Sequence, residues 1–355
     1  MKLLDSVFFP NDNKLNHVKS LDGLRGVAVL MVLLSHSSNQ ELYLFGMNFK
    51  GIGSFGVYLF FILSSYLLDR QIAQNLLKYK TNKGYWMNYT LRRFLRIYPL
   101  FIITLLIFYI LNLLGFKNVI SSTSELFYHL ALLKGESIFW SIPVEFKYYI
   151  LSPFLMIICS KILKWKKIKV TLFIVGLILL SILTQHYIGL DRISTFRFLP
   201  FFLIGTLISI YELIYFDNVP RQYKVINYLG GLSLIIIIVL IPSVWEFIFG
   251  NKDYYFYKSS YYLFFAIIWS IILISSKSEG FVKKIFEFKL IRFLGVVSFS
   301  SYLLHIPILR FVKSSNYIFE DYKFFAFISF TIIFSTISYL LIEKPLSSVR
   351  YNYKK

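Results

Sequence analysis

Arg25 and His36 stand eleven positions apart in the segment LDGLRGVAVLMVLLSH (21–36). At 3.6 residues per turn this is close to three full turns, so a helix presents both from one face, roughly 16 Å apart along its axis. Glu145 lies in a second apolar segment, FWSIPVEFKYYILSP (139–153). A neutral imidazole can take the proton of an attacking hydroxyl, and a carboxylate beside it holds the tautomer and stabilises the imidazolium. His36 is therefore the candidate base and Glu145 its supporting carboxylate, a pairing suited to acyl transfer. Tyr148 and Tyr149, three and four residues beyond Glu145, share its helix face. They position a sugar or simply pack.

The remaining polar residues in apolar segments are few. Ionisable groups there are costly, face the bundle interior and mark sites or pathways. Asp22, Lys147, Arg197 and His305 complete the inventory. Arg197 pairs with a carboxylate, lines the site or snorkels outward, while His305, just before Pro307, has a structural or substrate-contact role. Ser64 and Ser65 bond across helices, with a tunnel lining as the other reading of Ser64. His17, His129 and His186 fall in loops or at span ends and read as incidental. In RRFLRIYP (92–99), Arg93 and Arg96 are three apart and Arg92 and Arg96 four apart, so a helix gathers their guanidinium groups. Such a cluster makes forked bonds to phosphates or anchors on anionic lipid.

These residues need a bundle to position them. The 355 residues are 57% hydrophobic and 16% charged, against roughly 45–50% and 25% in soluble domains. Hydropathy, aromatic edges and breaking Gly, Pro and charged residues predict an all-α polytopic membrane protein. Its ten spans fall near 22–38, 52–69, 98–116, 140–160, 168–188, 194–213, 225–243, 257–276, 292–311 and 323–343. Lys and Arg concentrate in 70–97 and in 160–169, the latter with five lysines, which favours a cytoplasmic N-terminus and C-terminus. With that orientation Arg25 lies at the cytoplasmic end of the first span and His36 near its outer end. Glu145 falls at a similar depth, so the histidine and the carboxylate can meet in the outer leaflet.

The net charge of +20 is dispersed between apolar segments rather than gathered on one polar domain, which argues against nucleic acid. Cys159 stands alone, so no internal disulfide is expected, and no His/Cys spacing implies a metal. The N-terminal stretch lacks the apolar core and cleavage site of a signal peptide. A single membrane domain with no appended soluble domain is the expected organisation, and the oligomeric state is left open, a homodimer included. A transporter or flippase with Arg25, His36 and Glu145 on a proton or anion pathway is the competing class. It predicts paired broken helices in related halves, and no convincing pair is visible.

From the first span to the end the chain resembles the membrane-bound acyltransferase 3 family. Arg25 and His36 match its opening arginine, ten intervening residues and histidine. GVYLFFILSSYLL (56–68), RRFLRIYP (92–99), the Trp140-Ser141 to Glu145 region, RFLPFFLIG (197–205), FLGVVSFSSYLLHIP (293–307) and EKP (343–345) follow in the family's order. Ser65 stands where many relatives have Gly, and Phe146 and Lys147 replace acidic and amide residues. The resemblance implies a bacterial cytoplasmic-membrane acyltransferase. Its donor is acetyl-CoA or another acyl-CoA from the cytoplasm, and its acceptor a hydroxyl of a cell-surface or lipid-linked carbohydrate on the far side. It implies His36 as base, Glu145 as support and Arg25, Arg93 and Arg96 as donor ligands, with His305 a further candidate; the residues themselves add Arg92 to the donor cluster and Trp140, Tyr148, Tyr149, Arg197, His305 and Ser64 as candidate substrate contacts. Acylation of a small metabolite, a lipid or an amine is the alternative within enzymes. Direct transfer and a transient acyl-enzyme both fit.

Overall fold

The computed structural model describes residues 6–10, 12, 17–116, 118–215, 224–251 and 262–350. The described chain is helical: α1 (Lys19–Asn39), α2 (Gly53–Leu77), α3 (Lys83–Leu113), α4 (Thr123–Leu130), α5 (Ser141–Ile157), α6 (Lys167–Tyr187), α7 (Thr195–Ile210), α8 (Lys224–Val239), α9 (Pro242–Phe249), α10 (Tyr262–Ser275), α11 (Phe281–Glu287), α12 (Lys289–Val296), α13 (Ser298–Ser314), α14 (Glu320–Ser338) and α15 (Lys344–Ser348). Helices satisfy their backbone groups internally, which an apolar surrounding demands. Prolines 99, 153, 200 and 307 sit inside α3, α5, α7 and α13, a placement that membrane helices tolerate.

Each of the ten expected spans falls on a helix or on a bent pair. Part of the 257–276 span, residues 257–261, lies outside the described residues. Five helical stretches are by themselves long and apolar enough to cross a bilayer: 83–113, 137–162, 167–187, 195–215 and 320–348. Two bent pairs raise the number to seven: α8 with α9 at 87° and α12 with α13 at 75°. α1 and α2 have the length but carry Asp22, Arg25 and His36, and Asp69 and Arg70. The two bent pairs are broken helices that the sequence did not reveal. Both lie within one half of the chain rather than in corresponding halves, so they do not form the repeat a transporter would need.

The chain divides into two compact units. The first comprises 1–63 and 218–332, the second 64–217 and 333–355. In the first, α1 is packed by α11, α12 and α13, and glycine decides how closely. A Cβ on Gly26 would stand 1.9 Å from the Ile291 carbonyl oxygen, one on Gly295 1.8 Å from that of Asp22, and one on Gly23 1.8 Å from that of Phe286. Backbone therefore meets backbone along this seam, the small-residue packing of membrane helices. Gly56 of α2 meets the Ala28 carbonyl in the same way, at 2.2 Å. Phe55 of α2 stacks on Phe265 of α10, centroids 4.1 Å apart. In the second unit, α7 packs against α5 and α6, and α15 against α3.

Gly26→Val and Gly295→Val should each lower the thermal midpoint of the detergent-purified protein, by an overpacking cost of about 1–3 kcal/mol or more. Gly176 of α6 has nothing within 4 Å of a Cβ. Gly176→Ala should leave the midpoint unchanged or raise it, by up to about 1 kcal/mol of helix preference.

Candidate active site

In the first unit His36, near the end of α1, is half-buried, and His305 of α13 is wholly buried. His305 Nε2 lies 3.0 Å from His36 Nδ1. The other nitrogen of His305, Nδ1, faces two carbonyl oxygens, Tyr302 at 2.8 Å and Ser301 at 3.1 Å. Carbonyls only accept, so Nδ1 of His305 carries the hydrogen and its Nε2, in the neutral ring, is an acceptor. His36 must then donate through Nδ1, which makes its Nε2 the basic nitrogen. Fixing one ring nitrogen by a hydrogen bond is how an imidazole's tautomer is set. An orienting partner of His36 Nδ1 is thus a second histidine, His305.

Arg25 lies 4.0 Å from Asp22, one helical turn away. Asp22 belongs to a cluster the sequence reading missed. Arg292, 2% exposed, donates through both terminal nitrogens to Asp12, with Asp22 at 3.7 Å. His17 lies 3.0 Å from Asp22, so it is part of this cluster rather than incidental. The ring of Phe9 covers the Arg292 guanidinium at 4.3 Å.

In the second unit Glu145 Oε1 accepts from Ser64 Oγ and, at 2.5 Å, from Tyr149 OH. Ser64 Oγ and Tyr149 OH are 3.2 Å apart. Glu145 makes no ion pair among the described residues, although the charge of Arg96 acts on both Glu145 and Tyr149. Tyr148 does not share this cluster. It stacks on Phe202, centroids 4.1 Å apart, and donates at 2.7 Å to Asp69. Asp69, wholly buried, also accepts from Ser152 and Thr206. Adjacent residues on a helix diverge by about 100°, so one tyrosine reaches the Glu145 side and the other the core.

The inner arginines differ in how their donors are used. Arg93 donates to Gln71 at 3.2 Å and lies 5.5 Å over the Tyr149 ring and 5.8 Å over that of Tyr89. Its buried Nε has no hydrogen-bond partner among the described residues. Arg92 donates to the Asn88 carbonyl at 3.3 Å. Arg96 is exposed and forms no hydrogen bond among the described residues. Trp140 is buried beneath Arg192, 4.9 Å over its ring. Arg197 donates to the Leu190 carbonyl at 3.1 Å, and Lys147 lies 3.4 Å from that of Ile193. His129, expected to be incidental, is buried, with Nδ1 2.8 Å from the Glu125 carbonyl and Nε2 accepting from the Glu136 amide. It staples the turn between α4 and α5.

The described chain is all-helical, with five to seven helical stretches long and apolar enough to cross a membrane. The chain belongs to the acyltransferase 3 family, whose acyltransferase domain it matches over residues 18–343. It is 26% identical over 377 aligned positions to the protein named "Putative O-acetyltransferase SACOL0978" of Staphylococcus aureus (strain COL), covering 95% of this chain and 58% of that one. It is likewise 26% identical to O-acetyltransferase OatA of Staphylococcus aureus (strain NCTC 8325 / PS 47), covering 97% and 59%. The chain thus spans under two thirds of the length of these relatives. No solved structure matches it.

Two measurements check this geometry. With 15N-labelled histidine, His36 should report the Nδ1–H tautomer, and His305→Ala should shift it toward a mixture. Burial opposes ionisation of Asp12, but the bond from Arg292, its charge and those of Lys19 and His17 hold the carboxyl below its usual range. That stabilisation is present above the ordinary carboxylate value, about 3.9, and is lost as pH falls through the depressed one. Asp12→Asn should therefore flatten the acid limb of a stability profile.

Proposed function

We propose that this chain is an integral-membrane O-acyltransferase that moves an acetyl or other short acyl group from cytoplasmic acyl-CoA to a carbohydrate hydroxyl. The acceptor is a cell-surface or lipid-linked glycan on the far side of a bacterial cytoplasmic membrane, with both chain termini in the cytoplasm. The observation that carries the reading is the hydrogen-bond chain from the Tyr302 and Ser301 carbonyls through His305 to His36. It delivers a neutral imidazole with its basic nitrogen defined, the state a general base needs before a hydroxyl attacks. The family membership and the printed names of the relatives support the reaction class.

The donor's phosphates would be held by the arginines of α3. Among the described residues Arg96 donates no hydrogen bond, and Arg93 retains an unpartnered Nε. Guanidinium groups bind phosphate in forked pairs; Arg25 is a further candidate donor ligand. Glu145, bonded by Ser64 and Tyr149, is the proposed carboxylate, while Trp140, Tyr148, Arg197 and His305 would act by shaping and orienting rather than by bonding to the reacting atoms.

In proteoliposomes supplied with labelled acetyl-CoA and candidate glycans, the wild type should place label on glycan. His36→Ala should reduce transfer by about a hundredfold or more, the usual contribution of a positioned base, and Glu145→Gln should also impair it. Arg93→Ala should raise the donor KM more than it lowers kcat. Equal transfer by all variants would remove these assignments, and accumulation of a solute without transfer would point to a transporter.

A further inference from the structure

Serine and threonine hydroxyls inside these helices mostly turn back on their own backbone. Thr104, Thr171, Thr184, Thr206, Ser270 and Ser301 each donate to the carbonyl four residues earlier, the usual way a helix satisfies a hydroxyl. Ser64 is different. Among the described residues its Oγ bonds only to side chains, as that of buried Ser152 does, but it donates to the half-buried Glu145 Oε1 and lies 3.2 Å from Tyr149 OH. Ser64 and Glu145 are both half-buried, so the pair is screened from bulk solvent yet within reach of a substrate. A hydroxyl whose proton already points at a carboxylate that has no ion-pair partner among the described residues is the arrangement of an activated nucleophile and its base.

We propose that Ser64 is the acyl-carrying nucleophile of this acyltransferase, with Glu145 as its general base; this rests on the function proposed above. In the first half-reaction Ser64 Oγ attacks the thioester carbonyl carbon and its proton passes to Glu145. The carbon–sulfur bond breaks, and the departing thiolate takes that proton and leaves as the CoA thiol. Ser64 is now an ester and Glu145 is again ionised. In the second, the acceptor hydroxyl attacks the ester carbonyl and its proton is transferred through the general base to the departing Ser64 Oγ. The acyl group ends on the acceptor, and Ser64 is restored. Tyr149, which donates to the same carboxylate oxygen, and Arg96, whose charge acts on both, would steady the negative charge as it moves.

The purified full chain is incubated with labelled acetyl-CoA and no acceptor, quenched in acid, digested and mapped by mass spectrometry. The expected result is an acetyl ester on the peptide carrying Ser64 in the wild type. Ser64→Ala should lose the adduct and at least a hundredfold of glycan transfer. Ser64→Cys should keep an adduct, now a thioester cleaved by neutral hydroxylamine. With both substrates varied, initial rates should follow parallel double-reciprocal lines, the pattern of ping-pong transfer. Transfer to glycan by Ser64→Ala within tenfold of wild type, intersecting lines, or an adduct mapped to Tyr149 would overturn the role of Ser64 while leaving the acyltransferase standing. Absence of transfer by the wild type itself would remove both.

Discussion

The contact on which the first unit depends is the seam where α12 lies against α1 with no side chain between them. Gly26 and Gly295 permit it, since a methyl group on either would overlap a carbonyl oxygen of the other helix, and Gly23 does the same where α1 meets Phe286 of α11. The 75° turn from α12 into α13 starts from this seam, so α13 leaves at a fixed position relative to α1. That fixes where His305 meets His36. A membrane surrounding offers little hydrophobic drive between helices, and close backbone packing supplies the attraction that water would otherwise provide.

Two carboxylates of the second unit show how surroundings divide labour between chemically similar groups. Asp69 is sealed from solvent with both oxygens engaged by three hydroxyls from α5 and α7. Removing any donor would leave a buried charge undersatisfied, so Asp69 ties α2 to α5 and α7. Glu145 is half-buried, and its two donors converge on one oxygen. A carboxylate held by one oxygen keeps the other for proton exchange. The difference lies in which helix faces the apolar interior, since Tyr148 and Tyr149, adjacent in sequence, feed one cluster each.

Much of this was legible in the sequence, and the rest was hidden for definite physical reasons. Runs of apolar residues mark spans because each must fill the same hydrocarbon thickness, and every expected span met a helix. His36, Glu145 and the inner arginines stood out because charge in an apolar run is expensive. The pairing of His36 with His305 was not readable, since it joins residues 269 positions apart through a bend that no proline announces. Tyr148 and Tyr149 were grouped by the spacing of three and four residues, a rule too coarse to separate side chains about 100° apart. Asp69 was passed over because Arg70 beside it suggested the end of a span, although α2 continues to Leu77. The seam glycines resembled ordinary small residues, and their repeated spacing at 23 and 26 was the available signal.

A histidine partnered by a histidine behaves differently from one partnered by a carboxylate, and under the proposed function acyl transfer would make use of the difference. Moving an acyl group from a thioester to an alcohol neither consumes nor releases a proton overall, because the proton lost by the alcohol is regained by the leaving group. A base that kept its proton would stall the cycle. A carboxylate against Nδ1 stabilises the imidazolium by full opposite charge, whereas His305 offers only a neutral lone pair whose far side is anchored on carbonyls. The partner still fixes the tautomer and the ring plane, so the geometry of proton uptake is retained. It brings no opposite charge to a protonated ring, which a carboxylate would. A neutral orienting group buried on α13 therefore suits a base that must give back what it takes within a single turnover.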